Sequence, residues 1–554
     1  VGYFHPSATP TFEVQLGGNE QANPTADASE VPAILRFRAI EVVVLVLLTI
    51  IGLGFRVSHL GAIGFAEDEV NKVDAVQAYE RGEITANAEH PMLMKALMFG
   101  SLRIGKALGG GSTEAFLRLP NAIFGALTVI PLFLLTAAFF DRWTGLTAAA
   151  LWAVGINAIT YNRIGKEDTL LVFFMLFAFY FYLRAKQTDT RRVEARNRNY
   201  LLSGISFGVM LASKYFPHYF GLNALYHHNF HVRKREPDEP SGRTPRLFYL
   251  ALLIAFIVAN PPVLLPQVWQ YLNAYMGEKL LVHTGYLFAD HLYKNNVSRS
   301  PFWGTPVYFY LVFMAIKIPL LVLLSFVIGL ATAIKRRAHP GYAFVLFMLF
   351  FWIVPYSLIG AKWLRYCLSL MPFVYMAAAL GVVESFRFVS RRWQSAQQTR
   401  AIAAAIAIVV FIGAPAWIAY SAAPHYALYT NALAANKVGY FFPHDEFYDD
   451  GLREAIKFVC DNAPQGATIA HETPAATRYY LLQFQRGDLN SRPMSAPDFQ
   501  PANVSGPAYF ILQHGRTYFE NREKLEFIRN NLKKIHEVSV NGMTAAEVFV
   551  NQPK

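Results

Sequence analysis

Residues 39–60 read AIEVVVLVLLTIIGLGFRVSHL, and 64–70 continue as GFAEDEV. The first run has the roughly 20 mostly apolar residues that a bilayer crossing needs. Three consecutive carboxylates, Glu67, Asp68 and Glu69, stand just beyond its edge. Composition agrees with a membrane protein: of 554 residues, 54% are hydrophobic and 16% charged, against about 25% charged in soluble domains. Further apolar segments fall near 118–140, 143–162, 168–185, 200–213, 215–230, 247–268, 305–333, 341–360, 366–386 and 401–421, about eleven spans in all. Residues 1–38 are polar, without the charged start, short apolar run and cleavage site of a signal peptide. They read as a flexible cytoplasmic tail.

The formal charge of +12 does not point to nucleic acid, because the basic residues cluster between apolar segments: RAKQTDTRRVEARNR (184–198), HVRKREPDEPSGRTPR (231–246), KRR (335–337) and RFVSRRWQSAQQTR (387–400). All four fall on one side of the alternation, which the positive-inside rule makes cytoplasmic. Residues 67–69 and everything after 421 are then outside. From 422 to 554 the chain turns polar and alternates helical patterns such as DGLREAIKFVCDNA with strand-like AYFILQH and AAEVFV, as a small external α/β domain does. The two cysteines, Cys367 and Cys460, lie in an apolar segment and in this polar region; a disulfide between them is not expected and no cysteine metal site is available.

The loop 61–117 is too long for a tight turn and carries two amphipathic helical patterns, 67–82 and 92–108. Such helices lie in the interface plane with their apolar face in lipid. Asp68 begins the first, where an acid caps orphan N–H groups. A carboxylate at that level is equally suited to take a proton from a hydroxyl. Other polar residues stand at predicted outer span ends: His90, Lys95, Arg118, Arg163, Lys166, Glu167, Asp168, Lys214, Lys362 and Arg365. Each cation alone reads as interfacial snorkelling. Several on one face suit a phosphate held at headgroup depth by charge-assisted donors.

The acidic pair just outside the first span, HPMLMK (90–95), RLPNAIFGALTVIPLF (118–133), RIGKEDTLLVFF (163–174), ASKY (212–215) and KWLRYCLSLMPF (362–373), in that order, resemble the protein O-mannosyltransferase superfamily of GT-C membrane glycosyltransferases. PHYALYTNALAANKVGYFF (424–442) and the region after it resemble bacterial members. The resemblance implies an all-α polytopic fold with a GT-C transmembrane catalytic domain over 39–421 and the external domain 422–554, in a bacterial inner membrane. It implies transfer of a sugar, mannose or a related hexose, from a polyprenyl-phosphate donor to an external acceptor hydroxyl with inversion. Carried over by position, Asp68 is the general base, with Glu69 its catalytic neighbour. His90, Lys95, Arg163, Lys214, Lys362 and Arg365 are the donor-phosphate candidates. Arg118 and Asp168 are supporting residues, Asp168 by orienting Arg163.

No cofactor is expected beyond the lipid-linked sugar itself, and a divalent metal is left open. Partners are membrane lipid, the polyprenyl-phosphate sugar and an acceptor protein or envelope glycan, with no nucleic acid; oligomeric state is unread. The family's HPPLGK stands here as HPMLMK, and 269–304 is too short for the β-trefoil of eukaryotic members, so a bacterial-type enzyme is implied whose acceptor ranges over protein Ser/Thr, lipid A phosphate and envelope glycans. A transporter is the rival from another class, although transporters place ionisable groups nearer the bilayer midplane. A structural membrane subunit is the third reading. The topology predicts that a cysteine introduced at Glu520 is labelled by an impermeant thiol reagent from outside the cell; labelling only after the cytoplasmic face is opened contradicts it.

Overall fold

In the computed structural model, the described residues are 38–230, 243–275, 282–296, 304–392, 406–407 and 409–553. The tail 1–37, most of the loop 231–246 and most of 387–400 lie outside them. The helices in chain order are α1 (Ala39–Val57), α2 (Glu67–Glu80), α3 (Met92–Ala107), α4 (Thr113–Leu127), α5 (Val129–Phe139), α6 (Arg142–Val154), α7 (Ile156–Asn162), α8 (Asp168–Gln187), α9 (Val193–Ser213), α10 (His218–Phe230), α11 (Arg246–Ala259) and α12 (Pro266–Ala274). After a hairpin of β1 (Val282–Phe288) and β2 (His291–Asn296) come α13 (Phe309–Lys317), α14 (Leu320–Lys335), α15 (Pro340–Leu358) and α16 (Met371–Arg392).

Among the described residues helix occupies part of each of the eleven apolar segments, but fewer of these helices are individually long and apolar enough to cross a membrane. Among the described residues, five helices are long and apolar enough to cross a membrane: Ala39–Val57, Thr113–Phe139, Asp168–Gln187, Pro340–Leu358 and Met371–Ser390. A sixth is the pair α6 and α7, bent by 55°. The reason is local. Proline interrupts the backbone ladder at Pro261, Pro262 and Pro266 after α11 and at Pro319 between α13 and α14, where a missing N–H and a ring clash end a helix. What reads as one long apolar run becomes two shorter helices.

Close helix crossings rest on small residues. At Gly329 of α14 an added Cβ would stand 1.8 Å from the carbonyl oxygen of Ala377, and at Gly381 of α16 it would stand 1.9 Å from that of Ser325. Each glycine thus faces the partner's backbone, the packing that small residues permit between membrane helices.

The chain after 442 forms a five-stranded mixed sheet in the order β4 (Asn490–Pro493), β3 (Thr468–His471), β5 (Ala508–Gln513), β7 (Met543–Pro553), β6 (Leu532–Val540). β3 pairs parallel with β4 and β5, while β7 runs antiparallel to β5 and β6. Side chains alternate by the period of two. Ile469, Ile511 and Val548 face one core with the helices Leu452–Asn462 and Pro474–Gln483; Ala470, Phe510, Leu512 and Phe549 face another with Leu525 and Ile528.

The first of these cores does not stop at the sheet. It takes in Val70, Val73 and Val76 of α2, Met94 and Met98 of α3, and Leu117 of α4. The apolar face of α2 therefore packs on protein, not into lipid as its sequence pattern suggested. Phe65 N–H donates to Tyr480 Oη at 2.6 Å, and Arg478 pairs with Asp74 at 2.5 Å. An added Cβ at Gly64 would meet Arg453 Cβ at 2.8 Å. Because Gly381 has no room for a side chain, Gly381→Val is expected to cost at least the 1–3 kcal/mol usual for overpacking, about that range. Thermal unfolding in detergent reads it as a lower Tm, and an unchanged Tm would refute the crossing.

Candidate active site at the α2 and α8 N-termini

The site begins with a buried clamp. Glu69, 1% exposed, receives Arg118 Nε at 2.7 Å and Nη2 at 2.6 Å, and also Gly165 N–H at 2.7 Å and Ala66 N–H at 3.1 Å. Arg118 fills its remaining donors with the carbonyls of Leu60, Ile63 and Gly64. Space at 165 is tight: a Cβ there would lie 3.0 Å from Leu117 and 3.2 Å from Glu69 Oε1, so those side chains would have to give way. Glu69 is thus the anchor of the α2 N-terminus, with its oxygens occupied by protein donors, and is not a free carboxylate beside the base.

Neighbouring residues on a helix point about 100° apart, so clamping Glu69 turns Asp68 another way. Asp68 is half-buried and caps nothing. The α2 N–H groups go instead to Glu69, through Ala66, and to Asp449, which accepts Glu67 N–H at 3.0 Å. Asp68 Oδ2 receives Arg365 Nη1 at 2.7 Å, lies 3.2 Å from Lys166 Nζ and accepts Tyr448 Oη at 3.3 Å. Burial alone would raise its carboxyl, but Lys166 and Arg365 outweigh it and hold the group well below the usual aspartate value.

The rest of the cluster comes from the RIGKED turn and α9. Glu167, 1% exposed, pairs with Lys72 at 2.6 Å and lies 3.7 Å from His90 Nδ1. Asp168, first residue of α8, pairs with Lys214 at 2.6 Å. Lys214 rests over the rings of Phe216 and Tyr366 at 4.4 and 4.9 Å, and Arg365 over Trp363 and Tyr366 at 5.5 and 5.7 Å. Burial leads in driving the His90 imidazole well below its ordinary value, against the pull of Glu167, so it is neutral at pH 7. Four cations, Lys72, Lys166, Lys214 and Arg365, thus meet three carboxylates, Asp68, Glu167 and Asp168. The aromatic floor and the converging cations suit a phosphate-bearing ligand.

Three expected phosphate ligands do not join. Lys95, 1% exposed, gives its ammonium to the carbonyls of Ala86, Asn87 and His90. Arg163 takes the carbonyls of Phe55, Arg56, Ser58 and His59 where α1 ends. Lys362 bonds the carbonyls of Thr305 and Ile359. These cations close loops and helix ends, which leaves Asp168 paired with Lys214 and not orienting Arg163. Four charged or hydroxyl participants, Lys72, Lys166, Glu167 and Tyr448, were not assigned a role from sequence. Lys72 lies four residues after Asp68, on the same helical face, and that spacing was available as a signal. Lys166 and Glu167 stood in the quoted turn. Tyr448 gave none: it reaches Asp68 from 380 residues away, out of two successive non-glycine residues with positive φ, Tyr448 at 45° and Asp449 at 66°. Among the described residues, no group of three or more His, Cys, Asp or Glu could hold a metal ion.

The clamp predicts a separation of roles. Glu69→Ala leaves the Arg118 guanidinium buried without its partner and is expected to cost about 3–5 kcal/mol, seen as loss of folded protein on gel filtration and a depressed Tm. Asp68→Asn removes no backbone anchor but leaves Lys166 and Arg365 without their carboxylate, so its Tm should fall by less than that of Glu69→Ala, with folded protein still recovered.

Comparison with known proteins adds the following. Residues 89–265 match the sequence profile of the dolichyl-phosphate-mannose-protein mannosyltransferase family; that segment contains His90, Arg118, Lys166, Glu167, Asp168 and Lys214 but not Asp68, Glu69, Lys72, Arg365 or Tyr448. No curated protein shows significant sequence similarity to the chain. Among solved structures, ArnT from Cupriavidus metallidurans in the apo state is similar over 92% of this chain and 97% of its own, with 14% identity and a TM-score of 0.50. The apo oligosaccharyltransferase of Archaeoglobus fulgidus is similar over 85% of this chain and 69% of its own, with 13% identity and a TM-score of 0.50. The resemblance drawn from the sequence therefore holds in fold and in profile: the chain has the GT-C fold of these membrane glycosyltransferases, and its residues 89–265 carry the sequence pattern of the dolichyl-phosphate-mannose-protein mannosyltransferase family.

Proposed function

We propose that the chain is a glycosyltransferase that moves a sugar, mannose or a related hexose, from a polyprenyl phosphate to an acceptor hydroxyl with inversion. The observation that carries this reading is Asp68 paired with both Lys166 and Arg365: one candidate base shares its oxygen with two cations able to hold a phosphate. The family whose profile matches is named for a dolichyl-phosphate-linked mannose, and that donor class is the one assigned here. In the proposed topology, 39–421 is the catalytic membrane domain with about eleven full or partial crossings, 422–554 lies outside, and 1–38 is cytoplasmic.

The chemistry follows from the pairing. Asp68 accepts the acceptor's hydroxyl proton as the new oxygen–carbon bond forms at the anomeric centre. The bond to the phosphate oxygen breaks on the opposite face, and the polyprenyl phosphate leaves with one more negative charge. Lys166, Arg365 and Lys214 stabilise that charge, as preorganised donors do for charge that develops in a transition state. Glu167, paired with Lys72 and near His90, adds a fixed negative charge next to Lys166 in the chain, and Glu69 positions Asp68 through the clamp.

Before the donor binds, the cations hold Asp68 well below its ordinary pKa, which makes it a weak base. A phosphate drawing on Lys166 and Arg365 weakens that hold and adds a negative neighbour, and both effects raise the carboxyl. The base thus gains strength when the donor is in place. Asp68→Asn is expected to lower turnover about 10²- to 10⁴-fold, the usual worth of a general base, with donor affinity kept. Near-normal turnover of polyprenyl-phosphate mannose would remove Asp68 from the chemistry. In the unaltered enzyme the acid limb of kcat, which reports the bound complex, should lie at higher pH than that of kcat/KM, which reports the free enzyme; coincident limbs would refute the exchange.

A further inference from the structure

The end of the bundle opposite the site holds a cavity of about 1070 Å³ between α1, α5, α6, α8 and α9. Its first lining residue on α8, Tyr180, stands twelve residues along the helix from Asp168, about 18 Å at 1.5 Å per residue. Its lining is built in two tiers. Three helices place an arginine toward this end and an apolar residue one turn further in on the same face: Arg142 with Leu146, Arg184 with Phe181, and Arg198 with Leu202. Arg38 and Arg192 complete the ring.

The two acids in the lining are already engaged. Glu41 pairs with Arg142, and Asp141 accepts Thr144 N–H at 2.9 Å and Arg387 at 2.9 Å. Among the described residues no carboxylate lies within ion-pair distance of Arg38, Arg192 or Arg198, so the cavity carries a net positive rim over an apolar wall. One wall opens toward lipid: Ile40, which lines the cavity, is 64% exposed, and Val43, Leu47 and Ile50 continue that exposed apolar face along α1. Trp143, at the rim and 74% exposed, is the kind of side chain that settles at headgroup level.

We infer that this cavity is a binding site for an anionic phospholipid of the leaflet on the basic side, its phosphate held by Arg38, Arg192 and Arg198 and its upper chains against Leu146, Phe181 and Leu202. A soluble phosphate would satisfy the arginines but leave the apolar tier in water. A zwitterionic lipid would fill the apolar tier without neutralising the rim. Basic pockets between membrane helices bind anionic headgroups by this combination, with each Lys or Arg near the surface adding about five-fold in affinity. The inference stands apart from sugar transfer and does not need it.

The test is native mass spectrometry of the full chain in neutral detergent, titrated with phosphatidylglycerol or phosphatidylcholine. Phosphatidylglycerol is expected to be retained preferentially, and the double substitution Arg192→Gln/Arg198→Gln to weaken its binding about 25-fold while leaving phosphatidylcholine binding and lipid-free Tm unchanged. Arg337→Gln, an exposed arginine outside the lining, should have no effect. Should the double variant fold poorly, Arg38→Gln alone is expected to weaken binding about five-fold. Equal retention of the two lipids, undiminished binding by the variants, or full displacement of phosphatidylglycerol by inorganic phosphate would each overturn the assignment.

Discussion

The pairing of Glu69 with Arg118 is the interaction on which the rest of the site depends. Its worth is not net stability: burying both charges costs several kcal/mol each, about as much as their attraction returns. What it supplies is direction. Arg118 gathers the carbonyls of Leu60, Ile63 and Gly64, so the chain leaving α1 must fold over α4 before α2 starts. Glu69 in turn binds Gly165 N–H, which brings the RIGKED turn against the first turn of α2. With those two segments locked, Asp68 and Lys166 have little freedom left, and the α8 N-terminus adds its partial positive charge beside Glu167 and Asp168.

This explains how much could be read in advance and where reading stopped. Length and hydropathy identify the apolar segments, and the proximity of Asp68 to the first of them marks a candidate base. They do not distinguish Lys214 and Arg365, which enter the cluster, from Lys95, Arg163 and Lys362, which do not. All five are cations at span ends. Their fates are decided by which carbonyls are left orphaned by a helix terminus or a tight loop, and that depends on tertiary approach. Arg163 is the clearest case: the last turn of α1 leaves carbonyls without N–H partners, and Arg163 is the donor that folding delivers there. The same limit hides Tyr448, whose approach to Asp68 requires the chain after 442 to be docked.

That docking makes the sheet region part of the site's support. Period-two alternation identifies strands, but it cannot say what covers their faces. Here Ile469, Ile511 and Val548 share a core with Val70, Val73 and Met98. The amphipathic α2 consequently has its apolar face satisfied by protein, and its N-terminal acids are held between the helical bundle and the sheet. Arg516 reinforces this by pairing with Asp449 and approaching Glu67 at 3.6 Å, which fixes the turn that carries Tyr448.

The two ends of the bundle solve the same electrostatic problem in opposite ways. At the α2 end, cations are matched almost one for one by carboxylates from separate segments, so each charge can be partly desolvated without being stranded. In the proposed reaction a donor phosphate entering there would not add charge to an empty pocket; it would replace one anion by another around cations already in position and leave the displaced carboxylate the stronger base. At the far end, among the described residues, Arg38, Arg192 and Arg198 have no carboxylate within ion-pair distance and stay near the surface, where water or anionic lipid can complete them. Internal neutralisation suits a site where ligand exchange has to be rapid and coupled to chemistry, whereas an unmatched basic rim suits standing contact with a membrane surface. On the two proposals together, catalysis and lipid contact stand toward opposite ends of α8.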